Sequence, residues 1–508
     1  MEIELKLLLS PDDLRRAGRH AAVAAVRAGR GRTNRLVSVY YDTPDAALAS
    51  AGVAFRVREV RGRWVQTLKA GGDSAAGLHA REELEWPLPG ADPDPRLLAG
   101  TPYEELFSGD GVNGRLAPVF RTEFERTVRL LAWLDGTRAE LAMDVGSVQA
   151  GGRSESISEM ELELKSGDTT RLFELAQALS ADLPLRLGHL SKAERGYALA
   201  RVVKPAPQKQ ERIDLDPAMP VAAAIRRIAV ACIAQMQANE TGFLTGRDPE
   251  YLHQLRVGLR RLRSCVSMVR KRVPPERIRP LVEELRWLGR ALNPARDWDV
   301  FVTETLPPLL RAFPSDPGLA ALRARGARVR RASNAAARDS VRSARYTSLL
   351  LAAGRALARE DLAALTAGTG ELSEPVGTFA TRLLERRHAK LRKRGAALRE
   401  ATPEARHAAR IAAKRLRYAA EFFVSLYPPK RAKRYVAALE DIQDTLGLLN
   451  DLATAERLLA DAVGGARQAI DARSVGIVAG WCAATAHHAL ARIGQDWKQF
   501  KSAKEFWK

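Results

Sequence analysis

Three residues at alternate positions near the start of the chain, Glu2, Glu4 and Lys6, have the types and spacing to hold a metal and an anion together. If residues 2–8 form a strand, all three side chains emerge on one face, and Ile3, Leu5 and Leu7 on the other. The two carboxylates then sit roughly 7 Å apart. At an effective dielectric of about 20 their repulsion is roughly 2.4 kcal/mol. On a wetted sheet, salt screens much of that repulsion. On an enclosed face, the pair calls for a cation.

The pattern recurs along the first 200 residues. In AFRVRE, Arg56 and Arg58 share a face. REELEW sets Glu83 and Glu85 against Leu84 and Trp86. EMELELK sets Glu161, Glu163 and Lys165 against Met160, Leu162 and Leu164, and VFRTEFER aligns Arg121, Glu123 and Glu125. Lys69 ends WVQTLK, Asp144 sits in LAMDVG and Lys192 in SKAERGY. Any one of these strands suits an ordinary antiparallel sheet, apolar toward a core and charged toward water. Taken together they repeat paired Glu and paired Arg, which a wetted face does not require. One inward set would carry the acids Glu2, Glu4, Glu83, Glu85, Asp144, Glu161 and Glu163. It would also carry the bases Lys6, Arg56, Arg58, Lys69, Arg121 and Lys192. A closed barrel with that lining suits a highly charged anion carried with a divalent ion. Carboxylate oxygens are the hard ligands that Mg²⁺ or Mn²⁺ prefers, and Arg and Lys clamp phosphate oxygens.

The elements that must position these residues are mainly strands. SVYYDT, VAFRVREV, WVQTLKA, REELEWPL, VFRTEFERTVRLL, AELAMDVGSVQ and ISEMELELK alternate or carry β-branched and aromatic residues, with Gly, Pro and Asp clusters between them. PDDLRRAGRHAAV and RLFELAQALSADL read as helices. The order predicts an antiparallel sheet or barrel with helices attached. VVKPAPQKQERIDLDPAMP reads as a linker, and from about residue 218 the composition turns to Ala, Leu, Arg and Glu with helical periodicity. The predicted fold class is therefore α+β in two domains, over 1–203 and 218–508, with a linker at 204–217.

The helical part repeats itself. HQLRVGLRRLR at 253–263 aligns with HAARIAAKRLR at 407–417. The same register superposes Pro249-Glu250 on Pro403-Glu404, Pro274-Pro275 on Pro428-Pro429 and Asp297 on Asp451. This predicts two homologous helical bundles, at about 218–365 and 372–508. Within each copy His253, Arg256, Arg260 and Arg263, or His407, Arg410, Lys414 and Arg417, fall within an arc of about 80° on one helix. Leu252, Leu255, Leu259, Leu262 and Val266 make the neighbouring apolar stripe. A single basic ridge suits a solvated face bridged to its neighbours. Its repetition with the same His points instead to one groove lined by both copies. The two His are too few for a metal site and suit hydrogen bonding to phosphate or fixing a neighbouring Arg.

Composition bounds the rest. The chain has 508 residues, 46% hydrophobic and 28% charged, enough for two or three domains with proper cores. Its net charge of +21 is divided unequally: residues 1–205 carry 28 basic and 29 acidic residues, and 206–508 carry 53 and 31. Such a field recruits polyanions. No helix-turn-helix, zinc finger or aromatic RNA platform is recognisable, so no nucleic-acid partner is expected. Neither a membrane span nor a signal peptide is read, and Cys232, Cys265 and Cys482 form no zinc or CxxC spacing. The expectation is a reduced, cytoplasmic protein, associated with no membrane.

The opening ExExK, with the later paired Arg, paired Glu and terminal Lys, resembles the CYTH superfamily of triphosphate tunnel metalloenzymes over roughly residues 1–200. The repeated H-x-x-R-x-x-x-[RK]-R-x-R, with LNPARDWDV and LGLLNDLAT, resembles the CHAD domain over about 218–508. The order of the two is similar to that of bacterial inorganic triphosphatases. The resemblance implies an eight-stranded antiparallel barrel whose tunnel binds a linear triphosphate, followed by an all-α domain of two helical bundles. Lys6, Arg56, Arg58, Lys69, Arg121 and Lys192 would hold phosphates. Glu2, Glu4, Asp144, Glu161 and Glu163 would hold one or two Mg²⁺ or Mn²⁺ ions, with Glu83 and Glu85 as tunnel acids. The CHAD ridge residues, His253, Arg256, Arg260, Arg263, His407, Arg410, Lys414 and Arg417, would bind inorganic polyphosphate and take the chain to polyphosphate granules. The first CHAD copy has Arg296-Asp297 where the second has Asn450-Asp451, which implies unequal binding.

The first 200 residues contain no Cys and no evident Ser/His pair, so metal-assisted attack of water fits better than covalent catalysis. Glu2, Glu4, Lys6 and Glu161 would carry the catalysis, with Glu4 or Glu161 as the base. The expected activity is metal-dependent hydrolysis of inorganic tripolyphosphate to pyrophosphate and phosphate. The alternatives are a non-catalytic polyphosphate-binding protein, or an enzyme acting on thiamine triphosphate or, as class IV adenylyl cyclases do, on ATP.

Overall fold

The alternation at residues 2–8 becomes the first strand of a closed wall. In the computed structural model, which describes residues 2–108, 112, 114–201, 206–358, 372–396, 398–464 and 470–508, eight long strands are antiparallel throughout. They are β1 (Glu2–Leu8), β2 (Arg27–Asp42), β3 (Val53–Val60), β4 (Arg63–Ala75), β5 (Leu78–Leu88), β6 (Ala117–Ala132), β7 (Arg138–Ala150) and β8 (Arg153–Ser166). Their order is β5-β4-β3-β2-β6-β7-β8-β1, and β1 pairs again with β5 to close the barrel. Three of the hairpins, β3–β4, β4–β5 and β7–β8, turn on two residues that both have positive φ: Arg61-Gly62, Ala76-Gly77 and Gly151-Gly152. That backbone matches the right-handed twist of the strands it joins, which sets the register of each hairpin.

The barrel is inverted relative to a common core. Leu5 and Leu7 point outward and are fully buried beneath attached elements. The helix Thr170–Asp182 supplies Leu172, Phe173, Ala176 and Leu179 to that outer layer. Phe55 and Leu68 meet Leu48, Leu98 and Phe107 in a second outer cluster. A fully buried Leu or Phe contributes about 1.5–3 kcal/mol, so the apolar layer outside the wall stabilises a barrel whose interior is free to be polar. One part of that interior is apolar too, filled by Tyr40, Phe120, Phe124 and Tyr197.

The chain divides into two compact units, Met1–Ala206 with Arg342–Glu360, and Pro207–Val341 with Asp361–Lys508. The first contains the barrel. In the second, the helices Pro249–Val269 and Pro403–Phe423 begin and end at the same offset, and Pro275–Val300 begins at the same offset as Pro429–Gly464. Pro at the first helical position is preorganised for that role. Asp248 and Thr402 cap the first pair, each accepting a backbone N–H. The helix Val221–Thr245 is long and apolar enough to cross a membrane by length and composition, which the sequence reading did not flag. Within this unit its Ile228, Cys232, Ile233 and Met236 are fully buried, and Gly258 of the next helix lies against Met236 and Cys232. All three cysteines are free and buried.

One helix departs from the reading of the repeat. Ala344–Ala358, inside the stretch assigned to the first bundle, belongs to the barrel unit. The boundaries drawn at 203, 204 and 365 fall outside the described residues.

Candidate functional site

Strand register fixes which side chains meet inside the barrel. Lys6 lies opposite Glu161 and Glu4 opposite Glu163 across β1–β8. Arg56 lies opposite Tyr40 and Thr67, and Lys69 opposite Glu83. All of these except Thr67 line a cavity of about 240 Å³ together with Glu2, Arg58, Glu85, Arg126 and Lys192. Of the thirteen residues expected to face inward, eleven line this cavity. Asp144 is fully buried immediately behind it.

The thirteenth, Arg121, does not join them. Its register partner on β2 is Val39, while Thr122 pairs with the inward Ser38. Arg121 is therefore on the outer face, exposed, and donates to Glu123 at 2.8 Å. The inward positions of β6 are Phe120, Thr122, Phe124 and Arg126, and the last is the guanidinium that reaches the cavity. The rule that charge marks the inner face fails on β6, because charged residues stand on both faces. Phe120 and Phe124, apolar like the outward residues of the other strands, gave the opposite signal, and the register of Thr122 against Ser38 is what places even positions inward. Glu159 was also missed, although it shares the alternation of Glu161 and Glu163; it is fully buried.

The deepest part of the site is a set of three acids and three bases. Lys6 Nζ donates to Glu159 Oε1 at 3.0 Å and to Glu161 Oε1. Lys192 Nζ reaches Asp144 Oδ2 at 2.7 Å and Glu161 Oε1 at 2.9 Å, as well as Glu159. Arg126 forms a fork on Asp144, with Nε to Oδ1 at 2.7 Å and Nη2 to Oδ2 at 2.6 Å, and also meets Glu161. Burial alone would raise Glu161, yet Lys192, Lys6 and Arg126 hold it well below the usual carboxylate range. Burial would likewise lower Lys6, but Glu159, Glu161 and Glu4 raise it well above its ordinary value. Lys6 and Glu161 thereby hold each other in their charged forms, and Arg195 Nη1 also reaches Glu159 at 3.4 Å.

Toward the rest of the cavity the balance loosens. Lys69 Nζ donates to Glu2 Oε2 at 2.5 Å and sits 3.2 Å from Glu83. Thr67 donates to Glu85 at 3.1 Å. Arg58 donates to Ser38 at 2.9 Å, and burial beside Arg56 and Arg126 lowers it to about 9. The buried Arg56 Nε has no partner among the described residues. Burial raises Glu163, against the pull of Lys165. His79 is pushed down to about 4 by burial and the neighbouring Lys6, so it is neutral at pH 7.

The donor chemistry fits a hard divalent ion. Asp144, Glu159 and Glu161 each present an oxygen within 4.8 Å of the others. All three are already engaged by Lys6, Lys192 or Arg126. On the adjoining wall Glu4 and Glu163 face each other in register, with Lys6 Nζ 3.9 Å from Glu4 and Lys165 donating to Glu163. Glu2, Glu4, Glu161 and Glu163 together offer an oxygen-only ligand set of the kind a hard divalent ion takes.

The second unit holds a separate basic groove of about 490 Å³. His253, Arg256 and Arg260 line it from the first repeat, and Arg410, Lys414 and Arg417 from the second. Arg296, Asp297, Asp444 and Asp451 complete its charged lining. Arg263 and His407, assigned to the same ridges, are exposed and outside it. Arg260, Arg410 and Lys414 form no ion pair or hydrogen bond with a described residue, and Nε of Arg256, Arg260 and Arg410 is buried and unsatisfied. Burial, with Arg260 and Arg410 alongside, brings Lys414 down to about 7. His253 falls to about 4 through burial and Arg296.

Residues 1–197 match the CYTH domain family and residues 227–460 the CHAD domain family. The first part is 35% identical over 200 residues to an inorganic triphosphatase of Haemophilus influenzae, covering 39% of this chain and 54% of that protein. The chain thus spans about half the length of that relative. An uncharacterized protein of Mycobacterium tuberculosis is 28% identical over 459 residues, 83% of this chain and 82% of its own. The CHAD domain structure from the plant Ricinus communis superposes with a TM-score of 0.52 at 32% identity, over 59% of this chain and 99% of that domain.

Proposed function

We propose that this chain, which belongs to the CYTH family through residues 1–197 and to the CHAD family through residues 227–460, hydrolyses inorganic tripolyphosphate in its barrel and binds long-chain polyphosphate in its helical groove. The observation that carries the first part is a small barrel cavity lined by phosphate-type clamps on β3, β4 and β6 and by paired carboxylates on β1 and β8. The likeness of the barrel half to an inorganic triphosphatase supports it.

A linear triphosphate needs cations on several phosphoryl groups at once. Arg56, Arg58, Arg126, Lys69 and Lys192 supply them from four directions around the barrel, and Lys6 supplies another from β1. Arginine forks orient the chain of phosphates, while the ammonium groups act as point charges. Mg²⁺ or Mn²⁺ held by Glu2, Glu4 and Glu161 would offset the charge that develops on the transferred phosphoryl group, leaving Glu163 free of the ion. Lys6 and Arg126 then stabilise that group electrostatically from fixed positions. Water attacks in line and loses its proton to a wall carboxylate. Glu163 suits that task better than Glu161, because burial raises its proton affinity whereas three cations depress that of Glu161.

The cavity lining disfavours a nucleotide. Among its described lining residues the rings are Tyr40, already stacked on Phe120 at 4.4 Å, and the imidazole of His79, whose ring nitrogen is bonded to the Gly188 carbonyl at 3.0 Å. In the groove, unpaired arginines from both repeats face a common space, which is the electrostatic condition for binding a flexible polyanion. The test is a panel of initial rates with Mg²⁺ on tripolyphosphate, thiamine triphosphate and ATP, beside polyphosphate binding by the full chain. Tripolyphosphate should be the fastest substrate. A faster rate on ATP or thiamine triphosphate would overturn the assignment of substrate, and no binding of long polyphosphate would overturn the assignment of the groove.

A further inference from the structure

The backbone of Lys6 is held from two sides. Its N–H donates to the Gly77 carbonyl at 2.8 Å, and its carbonyl accepts from the Gly188 N–H at 2.9 Å. Neither glycine tolerates a side chain. Gly77 has φ +77°, and a Cβ there would lie 3.0 Å from the Lys6 carbonyl oxygen. At Gly188 a Cβ would lie 2.6 Å from Lys6 Cγ. Lys6 thus takes its place from the Ala76–Gly77 turn and from the segment that ends at Gly188. Within that segment Arg186 and Leu187 pair with Leu8 and Leu7.

The helix Ala344–Ala358 touches both supports. It is separated in sequence from the barrel by the first helical repeat, yet it belongs to the barrel unit. Gly354 packs so closely that a Cβ would come within 2.7 Å of Ala76 Cβ and 2.5 Å of Phe173 Cε1. Thr347 Oγ1 donates to the Leu185 carbonyl at 3.0 Å. Between these points Ser348 accepts from Gln177 at 2.9 Å, and Arg355 pairs with Glu174 at 2.7 Å. Leu349, Leu350, Leu351 and Ala353 are buried. A glycine in a helix interior costs roughly 0.5–1 kcal/mol relative to alanine, so the close approach at Gly354 gives its presence there a physical reason.

We propose that Ala344–Ala358 is a positioning element of the barrel site, a brace supplied by the second half of the chain that fixes the Ala76–Gly77 turn and the 185–188 segment and through them Lys6. Loosening the brace would let Lys6 drift from its place between Glu159 and Glu161. A barrel made of the first 200 residues alone would lack it. The activity arm of the test rests on the reading of Lys6 as a phosphate contact, whereas the exchange arm needs no substrate.

The test uses the full chain. Gly354→Leu forces the helix away from Ala76 and Phe173. Thr347→Val keeps the side-chain shape and removes the donor to Leu185. Ala352→Lys, on the exposed face, is the control. In Gly354→Leu the amides of Lys6 and Gly188 should exchange about tenfold faster while those of β6 and β7 stay unchanged. KM for tripolyphosphate with Mg²⁺ should rise about fivefold. Thr347→Val should show the same pattern more weakly, and Ala352→Lys neither change. Unchanged exchange at Lys6, or equal acceleration in every strand, would overturn the brace; faster exchange with KM unmoved would overturn its positioning role. If Gly354→Leu does not fold, the charge pair decides: Arg355→Glu should accelerate exchange at Lys6, and adding Glu174→Arg should restore it. Failure of that restoration would also overturn the proposal. A wild-type chain without tripolyphosphatase activity would count against the proposed function, while leaving the exchange result to judge the brace.

Discussion

The barrel cavity and the helical groove both gather arginine and lysine, but they treat them in opposite ways. In the cavity Lys6, Lys192 and Arg126 are each pinned by carboxylates at hydrogen-bonding distance. In the groove Arg260, Arg410 and Lys414 have no such partner among the described residues. Paired charges keep their ionised state at a fixed place, which is what catalysis by electrostatic stabilisation requires. Unpaired charges repel one another and wait for a counter-charge, which is what reversible capture of a polyanion requires. Fixed geometry belongs to the first site, and field strength to the second.

That contrast is broken most severely by removing a paired cation. Lys6→Ala should lower kcat for tripolyphosphate by about a hundredfold to a thousandfold. It would also leave Glu159 and Glu161 with one fewer cation, and breaking a buried pair costs about 3–5 kcal/mol. Thermal unfolding of the variant should therefore shift alongside its rate, while polyphosphate binding stays as in the wild type. Next in size, Arg126→Leu should lose about a hundredfold in kcat. Arg121→Leu should retain wild-type rate, since Arg121 lies outside the wall. Equal losses in both would mean that the register of β6 is misjudged.

In the groove the expected effects are smaller and depend on conditions. Polyphosphate affinity should fall steeply with salt, with a log–log slope of about −3.5 to −4.2 for five or six neutralised charges. Arg260→Glu or Arg410→Glu should flatten that slope and leave tripolyphosphate hydrolysis intact. The smallest effect concerns pH. Lys414, brought down to about 7, is charged below that value and neutral above it. Affinity for polyphosphate should therefore be greatest in mildly acidic buffer and decline as pH rises through about 7. Lys414→Arg, which stays protonated, should abolish the decline. Isothermal titration across that range checks the sign.

The sequence made the inner wall legible wherever alternation was clean. Over Glu2–Leu7, Phe55–Arg58, Glu83–Trp86 and Glu159–Lys165 apolar and charged residues exchange, so the parity of one residue assigns its neighbours. On β6 the run from Phe120 to Arg126 carries charge on both faces and aromatics on the inner one, so only the register against β2 fixes its parity. Glu159 was readable from the same alternation as Glu161. The repeat offset located the two ridges and their shared groove, since matched helix starts at Pro249 and Pro403 follow directly from matched residues. It could not tell that Arg263 and His407 fall outside the groove, because equal spacing along two helices does not fix where each helix leaves its neighbour. The brace was invisible for a different reason. Its Ala, Leu and Arg composition is that of every helix around it, and only tertiary packing against Phe173 and Ala76 distinguishes it.

Phosphorus NMR of tripolyphosphate incubated with the full chain and Mg²⁺ tests the central claim most directly. The account predicts pyrophosphate and phosphate appearing in equal amounts, with the reaction stopped by chelation and by Lys6→Ala. Intact tripolyphosphate in the presence of Mg²⁺ and Mn²⁺, or cleavage that survives both chelation and Lys6→Ala, would contradict it.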